Sequence, residues 1–565
     1  MINKLSIKWT YFLLLCIVLI SVFLRVYRLG DTPVGFHQDE VVNTYVGKYI
    51  LTNGFDIHGI SWPLLYFDKK GDYPPVIPMY ISALGTYMFG LTILGSRIII
   101  ALISALIVIP IYGISFLLVK KRVPALFSAL LGSITPWLIS YSRVSAEGIL
   151  ATTIATIGLW FLITSLQSKS RIILSLGILS LGSTYFLYPG YRILVPLILL
   201  STCIVYFSDI LQNWKQSMNK IFIILFICSI LGSFVLSYGI GKTTWGIGRF
   251  NQTSILSSQN IDQGRIDQFI FNENSIVIAK FFNNKTIYIS REFIKQYLSY
   301  FSPVFLFVEG GLPIWYAVPN SGLLYFGSFL LLISIVFLYS TKRHSIDFRV
   351  WILLLLLLLI APLPSALTNE LTPNTHRSMF MPIILICISS YGFYLLSFVK
   401  IKRFPIIVVP LFIICLEFIF FYHNYFQHIS MYTNLYRGDG NIQVAKYISD
   451  HHYEYNTIHV FISGWFPVYY LYADKNFDKS LPNKFNEHLR MSSFQNIIFK
   501  DNDCEESLQF IPNDIRSNKS DLLIVHGGCP IKNESLRYLE SIKNISGINI
   551  FDIYQIDSSV KIQYK

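Results

Sequence analysis

The sequence predicts a polytopic α-helical membrane protein with about 11 transmembrane helices, interfacial helices in the first outer loop, and a C-terminal soluble α/β domain. Three observations predict it. Of 565 residues, 53% are hydrophobic and only 14% charged, whereas soluble domains carry about a quarter charged residues. Apolar stretches of span length recur through residues 1–422, punctuated by short Lys/Arg clusters. Beyond residue 423 the composition turns polar and strand-like runs replace the long apolar ones. The net charge of +13 resides in the short clusters, as orientation in a bilayer demands, which argues against nucleic acid as a partner.

The first span, 9–29, follows Lys4 and Lys8. It is too long for a signal-peptide core and lacks a small-residue cleavage site, so it reads as a retained anchor. Arg25 and Arg28 near its far end read as snorkelling or phosphate-facing. Residues 30–95 form a mixed polar and aromatic first outer loop, in which the apolar stretch 76–90 is short enough to be interfacial or re-entrant. Further spans follow at 98–118, 124–141, 148–166, 172–188, 193–208, 221–240, 321–340, 350–367, 378–398 and 405–422. The clusters Lys120-Lys121-Arg122, Lys169/Arg171, Lys215/Lys220, Lys342-Arg343-His344 and Lys400/Lys402/Arg403 all fall on one side, which the positive-inside rule makes cytoplasmic. The opposite side collects Asp39-Glu40, the turns at 143–147, 188–192 and 368–377, the outer loop 241–317 and everything after 423.

Residues 423–565 read as a separate soluble domain. A helix near 440–450 precedes the β-like run Thr457-Ile458-His459-Val460-Phe461-Ile462. A second buried-strand pattern, Asp521-Leu522-Leu523-Ile524-Val525, is followed by an expected helix near 532–543 and a strand pair within 547–563. That order argues a small α/β domain. Five of the seven cysteines lie inside apolar spans as packing residues. Cys504 and Cys529 lie in the outer domain, where an oxidising compartment permits a bridge. No CxxC or Cys/His cluster calls for a structural metal, and nothing else in the sequence calls for a cofactor.

The chemistry concentrates on the outer side. In Gly35-Phe36-His37-Gln38-Asp39-Glu40 two carboxylates open an expected helix whose apolar pairs Val41/Val42, Tyr45/Val46 and Tyr49/Ile50 make one stripe. Asn53-Gly54 is its stop signal. Asp39 is then expected at the N-cap, on a helix suited to the membrane interface. Other candidates are Arg143 with Glu147, Tyr188-Pro189-Gly190-Tyr191-Arg192, Thr375-His376-Arg377, Arg97, and Lys69-Lys70 with Asp72 before Tyr73-Pro74-Pro75. Each also has an ordinary explanation: a helix cap, an i,i+4 surface pair, an anchor to lipid headgroups or loop solvation. Together they place carboxylates that accept a proton from a hydroxyl beside guanidinium groups that hold a phosphate bidentately.

With these residues in this order, the chain resembles the GT-C membrane glycosyltransferases. The resemblance is to the bacterial protein mannosyltransferase and aminoarabinose transferase group, glycosyltransferase families 39 and 83, and covers about residues 9–400. It implies a polyprenyl-monophosphate sugar donor, an inverting transfer to a hydroxyl on a protein, lipid or glycan acceptor, and a multi-pass place in the cell membrane with the site outside. Asp39 maps onto the base, with Glu40 beside it, and Glu147 onto the second acid, where many relatives have Asp. Arg192 and Arg377, with Arg97 and Arg143, map onto donor-phosphate contacts, supported by His376 and Tyr188. Relatives of the aminoarabinose type carry Lys-Pro-Pro; here Tyr73 takes the Lys position, and Lys69 or Lys70 is left for the phosphate. Two other classes stand beside this one: a flippase of lipid-linked glycans, which needs basic cavity residues but no catalytic acid, and a non-catalytic polymer-assembly scaffold using the outer α/β domain. A flippase does not need the Asp39-Glu40 pair, and the inverted repeats typical of transporters are not visible in the sequence.

Overall fold

The structure is a computed structural model that describes residues 5–69, 72–209, 220–257, 276–282, 284–339, 346–462, 464–483, 492–500, 508–512, 519–529 and 533–564. The chain divides into two compact units. One comprises 1–27, 71–78 and 100–425; the other comprises 28–70, 79–99 and 426–565. The first outer loop, expected within the membrane domain, thus groups largely with the C-terminal segment.

In the first unit every expected apolar segment contains a helix. Among the described residues, four helices or helix runs of span length lie within it, Ile7–Val26, Glu147–Ser168, Lys220–Gly241 and Phe348–Ala366; two more are shared with the other unit, Ile93–Val119, which begins there, and Val408–Thr433, which ends there. Arg171–Phe186, Tyr191–Val205, Phe326–Leu338 and Met381–Leu396 are shorter apolar helices. The protein is a multi-pass membrane protein.

The expected span 124–141 is broken. Arg122–Ile134 and Pro136–Ser142 meet at a 50° bend, because Pro136 has no N–H to continue the ladder. The Trp137 N–H leaves the helix for the Leu323 carbonyl at 3.2 Å. Carbonyls freed at the bend are satisfied by Arg25: Nη1 donates to Ser133 O at 3.1 Å and Nη2 reaches Gly132 O at 3.5 Å. Arg25 is fully buried, so it ties the first helix to the bend instead of snorkelling.

The second unit holds Gln38–Asn53, most of Ile77–Phe89 and a six-stranded sheet. Strands are numbered along the whole chain. Lys400–Ile401 (β1) and Phe404–Pro405 (β2) form a small hairpin in the first unit. The second unit holds β3 (Ile458–Phe461), β4 (Ser493–Phe494), β5 (Ile497–Lys500), β6 (Leu508–Pro512), β7 (Asp521–His526), β8 (Leu536–Lys543), β9 (Asn549–Ile556) and β10 (Val560–Tyr564). Sheet order is β4-β5-β3-β7-β9-β8, with β3 parallel to both β5 and β7. Such central strands are covered on both faces, and Ile458, Val460, Leu522, Leu523, Ile524 and Val525 are fully buried. The Asn441–His451 helix precedes β3 as expected.

Two expectations fail here. The segment expected as a helix near 532–543 is strand β8. A bulge between Tyr538 and Glu540 inserts one residue, which erases the alternation that marks a strand. The expected last pair separates: β9 joins the main sheet, while β10 pairs with β6 in a sheet of its own.

Candidate active site

The Gln38–Asn53 helix begins one residue before Asp39 and stops at Gly54, whose φ is +82°. Its N-cap is His37, a correction to the expected Asp39. His37 Nδ1 accepts the Asp39 N–H at 3.2 Å, and Glu40 Oε2 accepts the His37 N–H at 3.3 Å. This is a capping box with an imidazole in place of the usual hydroxyl. The helix is not amphipathic at an interface either: Val41, Thr44, Tyr45, Val46, Tyr49 and Ile50 are all fully buried. Its second face is covered from the C-terminal segment, where Asn476 O and Asp478 O accept from the Tyr45 and Tyr49 hydroxyls.

The two carboxylates meet different surroundings. Glu40 is 1% exposed. It takes Arg97 Nε on Oε1 at 2.8 Å and Arg97 Nη2 on Oε2 at 3.1 Å, and Arg437 Nη2 also donates to Oε2. Asp39 is 44% exposed and receives the Lys69 ammonium. Burial of its carboxyl opposes ionisation, but the charges and hydrogen bonds of Lys69 and His37 outweigh it and hold Asp39 well below the usual carboxylate range. Lys69 is buried and also lies over the Trp465 ring, 5.1 Å from its centroid.

Arg97 is reassigned. All five of its N–H bonds are spent, on Glu40 and on the carbonyls of Leu29, Pro33 and Gly35 at 2.9–3.2 Å, so its fork has no hydrogen left for a phosphate. In the first unit Arg143 is likewise fully buried; its Nη atoms donate to Leu24 O and Tyr27 O at 2.8 and 2.7 Å, anchoring the end of the first helix. Lys70 lies outside the described residues.

The first unit carries a second cluster. Glu147 opens the Glu147–Ser168 helix, and His376 Nε2 accepts the next N–H, from Gly148, at 3.1 Å. A Cβ on Gly148 would stand 2.4 Å from the His376 ring, so only glycine permits this approach. His376 stacks on Tyr141 and packs at a tilt against Tyr188, at centroid distances of 5.4 and 5.0 Å. Burial pushes the Tyr188 phenol up, Arg377 opposes the rise, Glu147 adds to it and Arg249 opposes it, so these four groups share one neighbourhood. Tyr188, Tyr191, Gly148, His376 and Arg377 line a small hollow there.

Arg377 donates from Nη2 to Glu370, while its buried Nη1 has no partner among the described residues. Arg192 donates to Tyr185 O at 3.3 Å and lies over Trp245 at 4.8 Å, and its buried Nε has no partner among the described residues. Arg249 pairs with Asp72, and the Tyr73 ring packs against Gly248. The structure therefore brings together Asp39, Glu40, Lys69 and Arg97 in one unit, and Glu147, Tyr188, Arg377 and His376 in the other. Sequence reasoning missed Arg437 and Arg249. Arg249 is the first arginine of the 241–317 loop, which is a weak signal; nothing local marks Arg437. Among the described residues, no group of three or more His, Cys, Asp or Glu is arranged to hold a metal ion.

No protein-family model matches the chain, and no curated protein sequence matches it. Solved structures do. ArnT from Cupriavidus metallidurans bound to undecaprenyl phosphate aligns with a TM-score of 0.51 at 8% identity, over 97% of this chain and 98% of that one. The apo form of the same protein gives 0.48 at 10% identity over the same shares. The archaeal oligosaccharyltransferase AglB from Archaeoglobus fulgidus, solved with an inhibitory peptide and a dolichol-phosphate, gives 0.46 at 12% identity over 83% of this chain; the alignment spans 64% of AglB. The near end-to-end match to ArnT, together with the multi-pass helices and the C-terminal sheet, establishes that this chain has the GT-C fold of membrane glycosyltransferases.

Proposed function

We propose that the protein is an inverting glycosyltransferase that moves a sugar from a polyprenyl-monophosphate donor to a hydroxyl acceptor on the outer face of the membrane. The observation that carries this reading is the contrast between the neighbouring carboxylates. Glu40 is saturated with donors, while Asp39 is half-exposed and held ionised beside Lys69. In the proposed step the acceptor oxygen attacks the anomeric carbon and the bond from that carbon to the phosphate oxygen breaks. The lipid phosphate leaves, and the hydroxyl proton passes to Asp39.

Arg377 and Arg192 would meet the departing phosphate through the donors they leave unpartnered, as preorganised cations do where charge develops, and Arg249 would add a third guanidinium. Glu147 would orient the acceptor, Lys69 would exchange Asp39 for phosphate, and Tyr188 and His376 would line the hollow. The undecaprenyl phosphate bound to ArnT supports this class of donor.

The test incubates the purified full-length chain with undecaprenyl-phosphate-linked mannose, glucose, galactose and aminoarabinose and measures released undecaprenyl phosphate. Asp39→Asn is expected to lower turnover about 10²-fold without loss of folded protein. Arg192→Ala and Arg377→Ala are expected to raise the donor KM, with only partial rescue by Lys, because a point charge does not reproduce the guanidinium fork. Full turnover by Asp39→Asn would remove Asp39 from the chemistry, and unchanged donor KM in both arginine variants would make them plain anchors.

A further inference from the structure

We propose that Arg437 is a positioning residue for the transfer, fixing the geometry in which Asp39 accepts the proton; this rests on Asp39 being the base. Arg437 enters from the C-terminal segment, 397 residues from Glu40 in sequence. It is fully buried. Nη2 donates to Glu40 Oε2 and Nε donates to Val34 O at 3.2 Å. One guanidinium thus joins the turn before Asp39 to the residue after it.

The same turn is held from the same segment at three further points. The Val34 N–H donates to Ser430 Oγ at 3.1 Å. Gly35 adopts φ +82°, where a Cβ would stand 2.8 Å from Arg437 O. The Tyr469 hydroxyl donates to Phe36 O at 2.5 Å. With Arg97 Nη2 on Gly35 O at 2.9 Å, the backbone from Val34 to Glu40 is clamped between two buried arginines.

Arg97 already pairs with Glu40 through two hydrogen bonds. What Arg437 adds is direction. A planar fork bridging a carboxylate and a carbonyl sets an angle, which a flexible ammonium does not. Asp39 projects from the clamped turn towards Lys69, so a shift of about 1 Å there costs about 10²-fold in rate.

The experiment compares wild type, Arg437→Met, Arg437→Lys and Asp39→Asn, each as full-length folded protein isolated by size exclusion. It uses the four undecaprenyl-phosphate sugars named above. Kinetics are accompanied by the pH dependence of carbodiimide labelling at Asp39, read by mass spectrometry, which needs no donor. Arg437→Met is expected to lose about 10²-fold in kcat per folded molecule, with the donor KM within about two-fold of wild type, and to shift the Asp39 labelling profile. Arg437→Lys is expected to recover only part of kcat, and it carries the comparison if Arg437→Met does not fold. Unchanged kcat in the Arg437 variants, with turnover abolished in Asp39→Asn, would overturn the positioning role and leave the base standing. Full rescue by Lys would also overturn it, reducing Arg437 to a charge. Full turnover in Asp39→Asn, or none by wild type on any donor, would overturn the functional reading and this proposal with it.

Discussion

Two adjacent carboxylates of the same charge end in opposite circumstances because one side chain points into two guanidinium groups and the other, half-exposed, meets a single buried lysine. Glu40 is the residue the buried cluster cannot lose. Its replacement by Gln strands two buried cations, and breaking such a cluster from the carboxylate side costs about 3–5 kcal/mol. The expected outcome is a large fall in Tm for Glu40→Gln, with a smaller fall for Asp39→Asn by the same thermal unfolding measurement. Asp39 responds to pH instead. Its folded-state pKa is depressed, so its contribution to stability is fully present above the unfolded value of about 3.9 and is lost as pH falls through the lower folded value. Carbodiimide labelling of Asp39 is therefore expected to rise only at pH below the ordinary carboxylate range; a midpoint within or above that range would show that the Lys69 pair does not form.

Single elements show how local rules bend to packing. Pro136 breaks a helix that its apolar pattern would have continued, and the cost in freed carbonyls is offset by Arg25. Arg25→Met is expected to leave these carbonyls unsatisfied and to destabilise the protein by about 1–3 kcal/mol, visible as a lower Tm. At the Glu147–Ser168 helix the limiting feature is space. Gly148→Ala puts a methyl 2.4 Å from the His376 ring, so the ring must leave the helix N-terminus. Overpacking of this kind costs about 1–3 kcal/mol, and loss of the ring packing against Tyr141 and Tyr188 should change use of the proposed donor as well as Tm. Strand β8 teaches the converse: cross-strand pairing with β9 overrides a spacing that read as helix.

For the whole molecule, two expectations concern compartment. The positive-inside pattern puts the 120–122 and 342–349 loops in the cytoplasm and residues beyond 440 outside. Labelling of introduced cysteines by a membrane-impermeant maleimide is expected to follow that division, and labelling of the C-terminal unit only after permeabilisation would reverse it. Cys529 is disulfide-bonded, while Cys16, Cys203, Cys228, Cys387 and Cys415 are free. Its expected partner, Cys504, lies outside the described residues. Closing a loop of about 25 residues stabilises by about 3 kcal/mol in the chain-entropy model. Non-reducing peptide mapping should recover the two peptides linked, with both thiols alkylated without reduction as the contrary result.

The sequence by itself determined the membrane class, the apolar segments, the end of the Gln38–Asn53 helix and the central strands β3 and β7. These follow from composition, periodicity and turn residues acting over a few positions. It also marked Asp39, Glu40, Glu147, Arg192, Arg377 and His376 as one set of polar groups at span ends. Only the tertiary structure decided how they divide. It spends Arg97 and Arg143 on buried carboxylate and carbonyl groups, leaves donors of Arg192 and Arg377 without a partner among the described residues, and brings Arg437 to Glu40. Local spacing cannot encode these choices, because whether a buried charge is satisfied depends on partners tens to hundreds of residues away, and desolvation makes each such pairing decisive.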